Sequence, residues 1–295
     1  MAGGSRRFVF NRLILAVLAL LLAGCSRPAE VSPALWLAEG PQGQKVWLFG
    51  TIHALPAPVA WRSAKVDAAL KQADRLVLEV ADIANDAATA QAFADLAQSP
   101  GQPPLEQRVE PDLRDELAAE LKEGGVSPGQ LDHYETWAAA LMLQNAAMAA
   151  GKSDSGNGID RALLLSYSKP VDEFEGAAAQ LAIFDQLPEP AQRALLAAAL
   201  DGPGDELTEM RKLEQAWATG DLAMVNAATS ADFLRNPELR AALLVSRNRA
   251  WVAKLTGLLL RGAQPFVAVG LAHLVGADGL PALLSAQGYT VTRLQ

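Results

Sequence analysis

The stretch VWLFGTIHALP, residues 46–56, begins as a buried strand and ends beside a histidine. Val46, Trp47, Leu48 and Phe49 form an apolar run without polar alternation, the pattern of a strand covered on both faces. Gly50 breaks the run, and His53 follows three residues later. The stretch PFVAVGLAHLVG, residues 265–276, repeats the arrangement: Phe266 to Val269 are apolar, then come Gly270 and His273. The chain has three histidines, so two of them share one strand–Gly–x–x–His context.

The rest of the fold reads outward from these two strands. ALWLAEG (34–40) and KVWLFGT (45–51) pair as a hairpin across the turn PQGQ. RLVLEV (75–80) predicts a third strand behind a helix over 62–73, KPVDEFEG (169–176) a fourth, and YTVTRL (289–294) the last. Helical periodicity covers 84–97, 111–123, 129–150, 159–168 and a stretch near 277–286. Residues 177–262 are helical in pattern, broken by LPEP, DGPGD and RNPE. The expected fold class is α/β (α+β). A central, mostly buried mixed sheet takes strands from both chain ends, is flanked by helices and carries a helical middle insertion at about 177–262. All of this belongs to one domain over residues 34–295, and no tandem repeat interrupts it.

Candidate chemistry collects at the strand ends. Ligands of open α/β sheets lie outside the carboxyl ends of strands. A glycine there lets the chain turn sharply or pass close to a ligand, which makes Gly50 and Gly270 candidate substrate-binding positions. Glu79 near the end of RLVLEV and Glu175 at the end of VDEFEG each follow apolar residues. Such carboxylates are costly to bury unless something cationic meets them. His53, His273, Glu79 and Glu175 therefore form one candidate catalytic and metal-binding group. In LLVSRNRAW (243–251), Asn248 is a poor helix former with no local reason for a cap. Its neighbour Arg247 is a candidate for binding a substrate carboxylate or a developing oxyanion. His133, between Asp132 and Tyr134, reads as a surface residue.

Composition and the N-terminus bound the setting. The chain is 51% hydrophobic and 20% charged, enough for a substantial core. A formal charge of −8 with no basic stripe excludes sequence-independent nucleic-acid binding. Arg6, Arg7 and Arg12 precede the short apolar run LILAVLALLLAG (13–24), the layout of an export signal. That run ends at Leu22-Ala23-Gly24-Cys25, which resembles a bacterial lipobox; SRRFVF is also loosely similar to a twin-arginine signal. The resemblance implies a signal peptide over 1–24, lipidation of Cys25, and a lipid-anchored protein on the outer membrane facing the periplasm. Residues 25–33 then form the lipidated cysteine and a flexible stalk. Cleavage removes three arginines and no acids, taking the charge from −8 to −11. Cys25 is the sole cysteine, so the folded part has no disulfide and no thiol chemistry.

Taken together, LFGTIHALP, LVLEV, GIDRALL, VDEFEG with Gln180, SRNRAW and FVAVGLAHLVGADGLPALLSAQGYTV resemble the TraB/GumN family. That family is similar to the TIKI-type proteases and, more distantly, to erythromycin esterase and ChaN-like proteins. The resemblance implies an active site at the paired G-x-x-H motifs and Glu79, with Glu175, Arg247 and Asn248 beside it. It also implies a peptide or small-molecule substrate and a divalent cofactor of the Mn- or Co-requiring kind, while imidazoles with carboxylates suit Mn, Co, Fe or Zn alike. Where many relatives read Leu-Glu-Thr, this chain reads Phe174-Glu175-Gly176.

Three functions stand open at this point. One is a metal-dependent, protease-like hydrolase, in which the ion polarises a carbonyl and activates water. Another is a metal-free hydrolase using His and Glu for acid–base work. The third is a non-catalytic lipoprotein that binds haem, metal or a polymer. Haem ligation by tyrosine would need Tyr134, Tyr167 or Tyr289, none of which lies in a motif.

Overall fold

In the computed structural model, residues 31–82, 86–127, 129–150, 153–200, 203–228 and 232–295 are described. The export signal, Cys25 and the first part of the stalk lie outside them. Strands β1 (Leu35–Glu39) and β2 (Lys45–Thr51) form the expected hairpin, paired antiparallel with Leu35 opposite Phe49. Its turn closes through Gly40 N–H to the Gln44 carbonyl at 2.8 Å, with Gly43 at φ 83°. Strand β3 (Arg75–Leu78), β4 (Val171–Glu173), β5 (Pro265–Gly270) and β6 (Thr290–Arg293) complete a six-stranded sheet in the order β4-β3-β5-β2-β1-β6. The pairs β4–β3, β3–β5 and β5–β2 are parallel, while β1 runs antiparallel to both β2 and β6. The fold is a mixed α/β sheet fed from both chain ends.

The apolar runs explain this order. From Val46 to Thr51 and from Pro265 to Val269 every residue is buried, as a central parallel strand covered on both faces requires. Phe49 packs its ring against Phe266 (5.7 Å between centroids) and Trp61 (5.9 Å). Helix Ser246–Leu260 lies against the sheet through Trp251, Val252, Leu255 and Leu259. Because β2, β3, β4 and β5 are parallel, their carboxyl ends share one edge of the sheet.

A second apolar cluster sits among the helices, around Trp137, Leu143, Leu195 and Leu196. Here the sequence pattern overreached at one end. Helix 129–150 was the expectation, yet the helix is Thr136–Ala150, residues 129–133 lie in turns and Tyr134 bridges to Gln98. Buried Arg108 takes the carbonyls of Asp132 and Tyr134 at 2.9 and 2.6 Å, drawing them out of any helical ladder. His133 is exposed in that turn. The fourth strand is also shorter than 169–176, although Phe174 and Glu175 still donate backbone bonds to Leu78 and Glu79. Among the described residues, no helix is long and apolar enough to cross a membrane.

Candidate active site

The two G-x-x-H turns meet at the shared carboxyl edge. β2 ends at Thr51, two residues before His53, and β5 ends at Gly270, where a tight turn (Leu271–Leu274) carries His273. Neither glycine has a positive φ; what each leaves is space beside its neighbours. A Cβ on Gly50 would stand 2.5 Å from the Leu271 side chain. A Cβ on Gly270 would stand 3.3 Å from Glu79 Oε1, 3.5 Å from His53 Nε2 and 3.8 Å from His273 Cδ2. One small volume therefore borders Glu79 and both imidazoles.

Glu79 is the anion at its centre. Its Oε1 accepts the Gly270 N–H at 2.7 Å; its Oε2 accepts from Arg247 Nη2 at 2.7 Å and Gln180 Nε2 at 3.1 Å. Burial works to raise the Glu79 pKa, but His273, His53, Arg247 and the Gly270 N–H outweigh it and hold it down at about 2. The carboxylate stays ionised at any ordinary pH.

Arg247 and Glu175 form a pair behind it. Arg247 Nε donates to both Glu175 oxygens (3.0 and 3.2 Å) and Nη2 to Glu175 Oε2 at 2.9 Å. Its Nη1 reaches the Leu243 carbonyl at 3.2 Å and His273 Nε2 at 3.3 Å. A guanidinium has five N–H donors, and all five are engaged within the protein. Arg247 is the cation that meets buried Glu79 and part-buried Glu175. Burial opposes its charge, yet the bonds to Glu175 and the attraction of both carboxylates raise its pKa. Trp251 stacks on Phe174 at 5.0 Å, lies 4.4 Å from the His273 ring and donates from Nε1 to Glu175 Oε1 at 2.9 Å. Arg247 also covers the Trp251 ring at 4.7 Å.

The two imidazoles are held by different partners. His273 is buried, and its Nδ1 meets Asn248 Oδ1 at 2.6 Å. Asn248 Nδ2 donates to the Asp278 carbonyl at 2.8 Å, which leaves its Oδ1 as acceptor and places the His273 proton on Nδ1. Nε2 is then the acceptor facing Arg247. Burial lowers the His273 pKa to about 4, so the ring is neutral. His53 stands at the mouth with 65% of its side chain exposed, its Nδ1 2.8 Å from Asp160 Oδ2. The Asp160 carboxylate is the main cause that raises His53, to about 9, against its burial from one side. Solvent on the outer face screens part of that attraction.

Sequence reasoning named His53, His273, Glu79, Glu175, Arg247, Asn248, Gly50 and Gly270; the structure brings seven of them together, while Gly50 faces the Leu271 side chain. It missed Asp160, Thr51, Trp251 and Gln180. GIDRALL, SRNRAW and Gln180 were in view, but nothing local marked the side chains that reach the site. Trp251 had a usable signal: it lies four residues beyond Arg247 and three beyond Asn248, on the same helical face.

A single divalent ion does not fit the four proposed ligands as they stand. Bonds of roughly 2.0–2.2 Å in a tetrahedral site put ligand atoms about 3.3–3.6 Å apart. His273 Nε2 lies 4.0 Å from Glu79 Oε1, and its lone pair faces Arg247. Both oxygens of Glu175 are engaged by Arg247 and Trp251. Among the described residues, no three His, Cys, Asp or Glu side chains are grouped to hold a metal ion.

A model of the TraB/PrgY/gumN family matches residues 34–293. The chain is 30% identical over 249 residues to the uncharacterized protein YbaP of Escherichia coli (strain K12), covering 83% of this chain and 89% of that protein. YbaP of Shigella flexneri matches over the same length at the same identity. No solved structure matches.

Proposed function

Starting from a chain that belongs to the TraB/PrgY/gumN family, we propose a hydrolase that cleaves a peptide or similar acyl bond by His53-centred acid–base chemistry. One observation carries this reading. His53 is the exposed group of the cluster; its Nδ1 is engaged by Asp160 and its Nε2 borders the same small volume as ionised Glu79.

In this reading His53 takes a proton from attacking water through Nε2 and returns it to the leaving group. Asp160 and Glu79 stabilise the imidazolium formed between those steps. Arg247 keeps Glu79 ionised and in place, and neutral His273 adds no second positive charge. Activity then rises with pH as His53 loses its resting proton, with an inflection between the ordinary 6.5 and about 9. Cys25 carries a lipid that tethers the hydrolase to a membrane, so the enzyme faces the periplasm from the outer membrane. A mature chain whose intact mass shows an unmodified Cys25 would remove the tether.

A second reading keeps a divalent ion. Both imidazoles have Nδ1 engaged, by Asp160 and Asn248, as outer partners orient metal-ligating histidines. His53, His273 and Glu79 would then hold the ion, after Arg247 moved off His273.

The experiment compares turnover of a peptide and ester panel by the full chain, before and after exchange into metal-free buffer, beside His53→Ala. The expected result is turnover that survives exchange and falls about 10²–10⁴-fold in kcat in the variant. Turnover lost on exchange and restored by Mn, Co, Fe or Zn selects the second reading. A variant as active as the parent overturns both.

A further inference from the structure

We propose that Asp160, held by Thr51 and delivered by the Gly158 turn, is the positioning residue that fixes the ring orientation and tautomer of His53. The role of His53 as the reacting base rests on the reading above; the positioning claim is geometric and has its own readout.

Asp160 divides its carboxylate between two partners. Oδ2 meets His53 Nδ1 at 2.8 Å, and Oδ1 accepts the Thr51 hydroxyl at 2.6 Å. Thr51 is the last residue of β2, so the strand that delivers His53 also supplies the hydroxyl that orients its carboxylate. Thr51 and Asp160 are both buried, while the imidazole they hold is exposed. An exposed ring without such a grip samples several rotamers. A carboxylate on Nδ1 only accepts, so Nδ1 carries the proton and Nε2 is presented to the cleft as the reacting nitrogen.

The backbone grips the same loop. Ile159 N–H donates to the Ile52 carbonyl at 2.9 Å, Leu55 and Asp154 exchange two backbone bonds of 3.2 and 3.0 Å, and Asn157 Nδ2 reaches the Leu55 carbonyl at 3.1 Å. Gly158 opens the helix that carries Asp160, with φ −62°, an angle that any residue adopts. Its requirement is space: a Cβ there would stand 2.2 Å from the His53 carbonyl oxygen. A side chain at 158 would lift the turn off His53 and Asp160 away from its ring.

The test uses Asp160→Asn in the full chain. The amide keeps the shape; its oxygen faces Thr51 and its NH₂ faces His53 Nδ1, which favours the proton on Nε2 instead. Nitrogen-15 multiple-bond NMR reads this directly, and with three histidines in the chain the signals are assignable. The expected result is Nδ1–H in the parent and a shift toward Nε2–H in the variant at a pH where both rings are neutral. On a substrate that the parent turns over, kcat should fall about 10²–10⁴-fold with KM nearly unchanged, as for a triad with the wrong tautomer. An unchanged tautomer overturns the proposal. So does an unchanged kcat on such a substrate. A parent that turns over nothing speaks against the hydrolase reading and leaves the NMR result decisive here. Should Asp160→Asn fail to fold, Thr51→Val applies the same NMR readout, with a mixed tautomer expected and an unmixed one contrary.

Discussion

The two G-x-x-H turns have the same sequence spacing and opposite physics. At the end of β2, His53 is exposed, faces a carboxylate and is raised to about 9. At the end of β5, His273 is buried, faces a neutral amide and a guanidinium, and is lowered to about 4. Spacing brings an imidazole to the strand end; the partner on Nδ1 and the access of water decide its charge. A motif read as a matched pair thus holds one ring pushed toward its cation and one kept neutral.

The largest expected effect breaks the contrast at its source. Arg247→Ala leaves Glu79 and Glu175 buried without their cation and should cost roughly 3–5 kcal/mol of stability, read by chemical denaturation. It also removes a positive charge that lowers His273 while leaving the Glu79 attraction that raises it. The His273 pKa should therefore climb, bringing the two rings closer together in an NMR titration. A stable variant with His273 still near 4 would show that burial alone separates them.

A smaller effect sharpens the contrast through stability against pH. Between pH 6.5 and about 4 the unfolded chain protonates His273 and the folded one does not, so stability falls as pH drops through that window. The fall is on the order of 3 kcal/mol at most. His53 acts in the other window. Its contribution is fully present below 6.5 and is lost as pH rises through about 9, on a shallower limb because solvent screens its exposed ring. Denaturation curves across pH should show the acid limb flattened in His273→Gln and the alkaline limb flattened in His53→Gln. Equal flattening of both limbs by either variant would mean the rings titrate as one unit.

Much of this was legible in the sequence for reasons the structure makes plain. Uninterrupted apolar runs at 46–49 and 266–269 are central strands, and glycine followed by histidine marks their carboxyl ends. Glu79 and Glu175 stood out because carboxylates beside apolar residues need a cation, and Arg247 supplies it. Asp160 was hidden because an acid in the first turn of a helix is unremarkable on its own. Its meaning comes from Thr51 and His53, more than a hundred positions away in sequence. The partners of Arg247 were hidden for a related reason: sequence shows a charge near a cleft, while only packing shows which groups its N–H donors meet.

The helix carrying Arg247, Asn248 and Trp251 is preceded by a π-helical turn, Ala241–Val245. A π turn holds about one residue more than an α turn, so it amounts to a single-residue insertion in an otherwise regular helix. Each residue rotates a helix by about 100°. The direction in which these three side chains point is accordingly set by a count of residues upstream, whatever their identity. Substituting Ala241 or Ala242 leaves that count intact; a further residue inserted here, beyond the one the π turn already absorbs, would turn the guanidinium, amide and indole away from the sheet edge together. Length here is a form of sequence information, carried by two alanines that touch none of the chemistry.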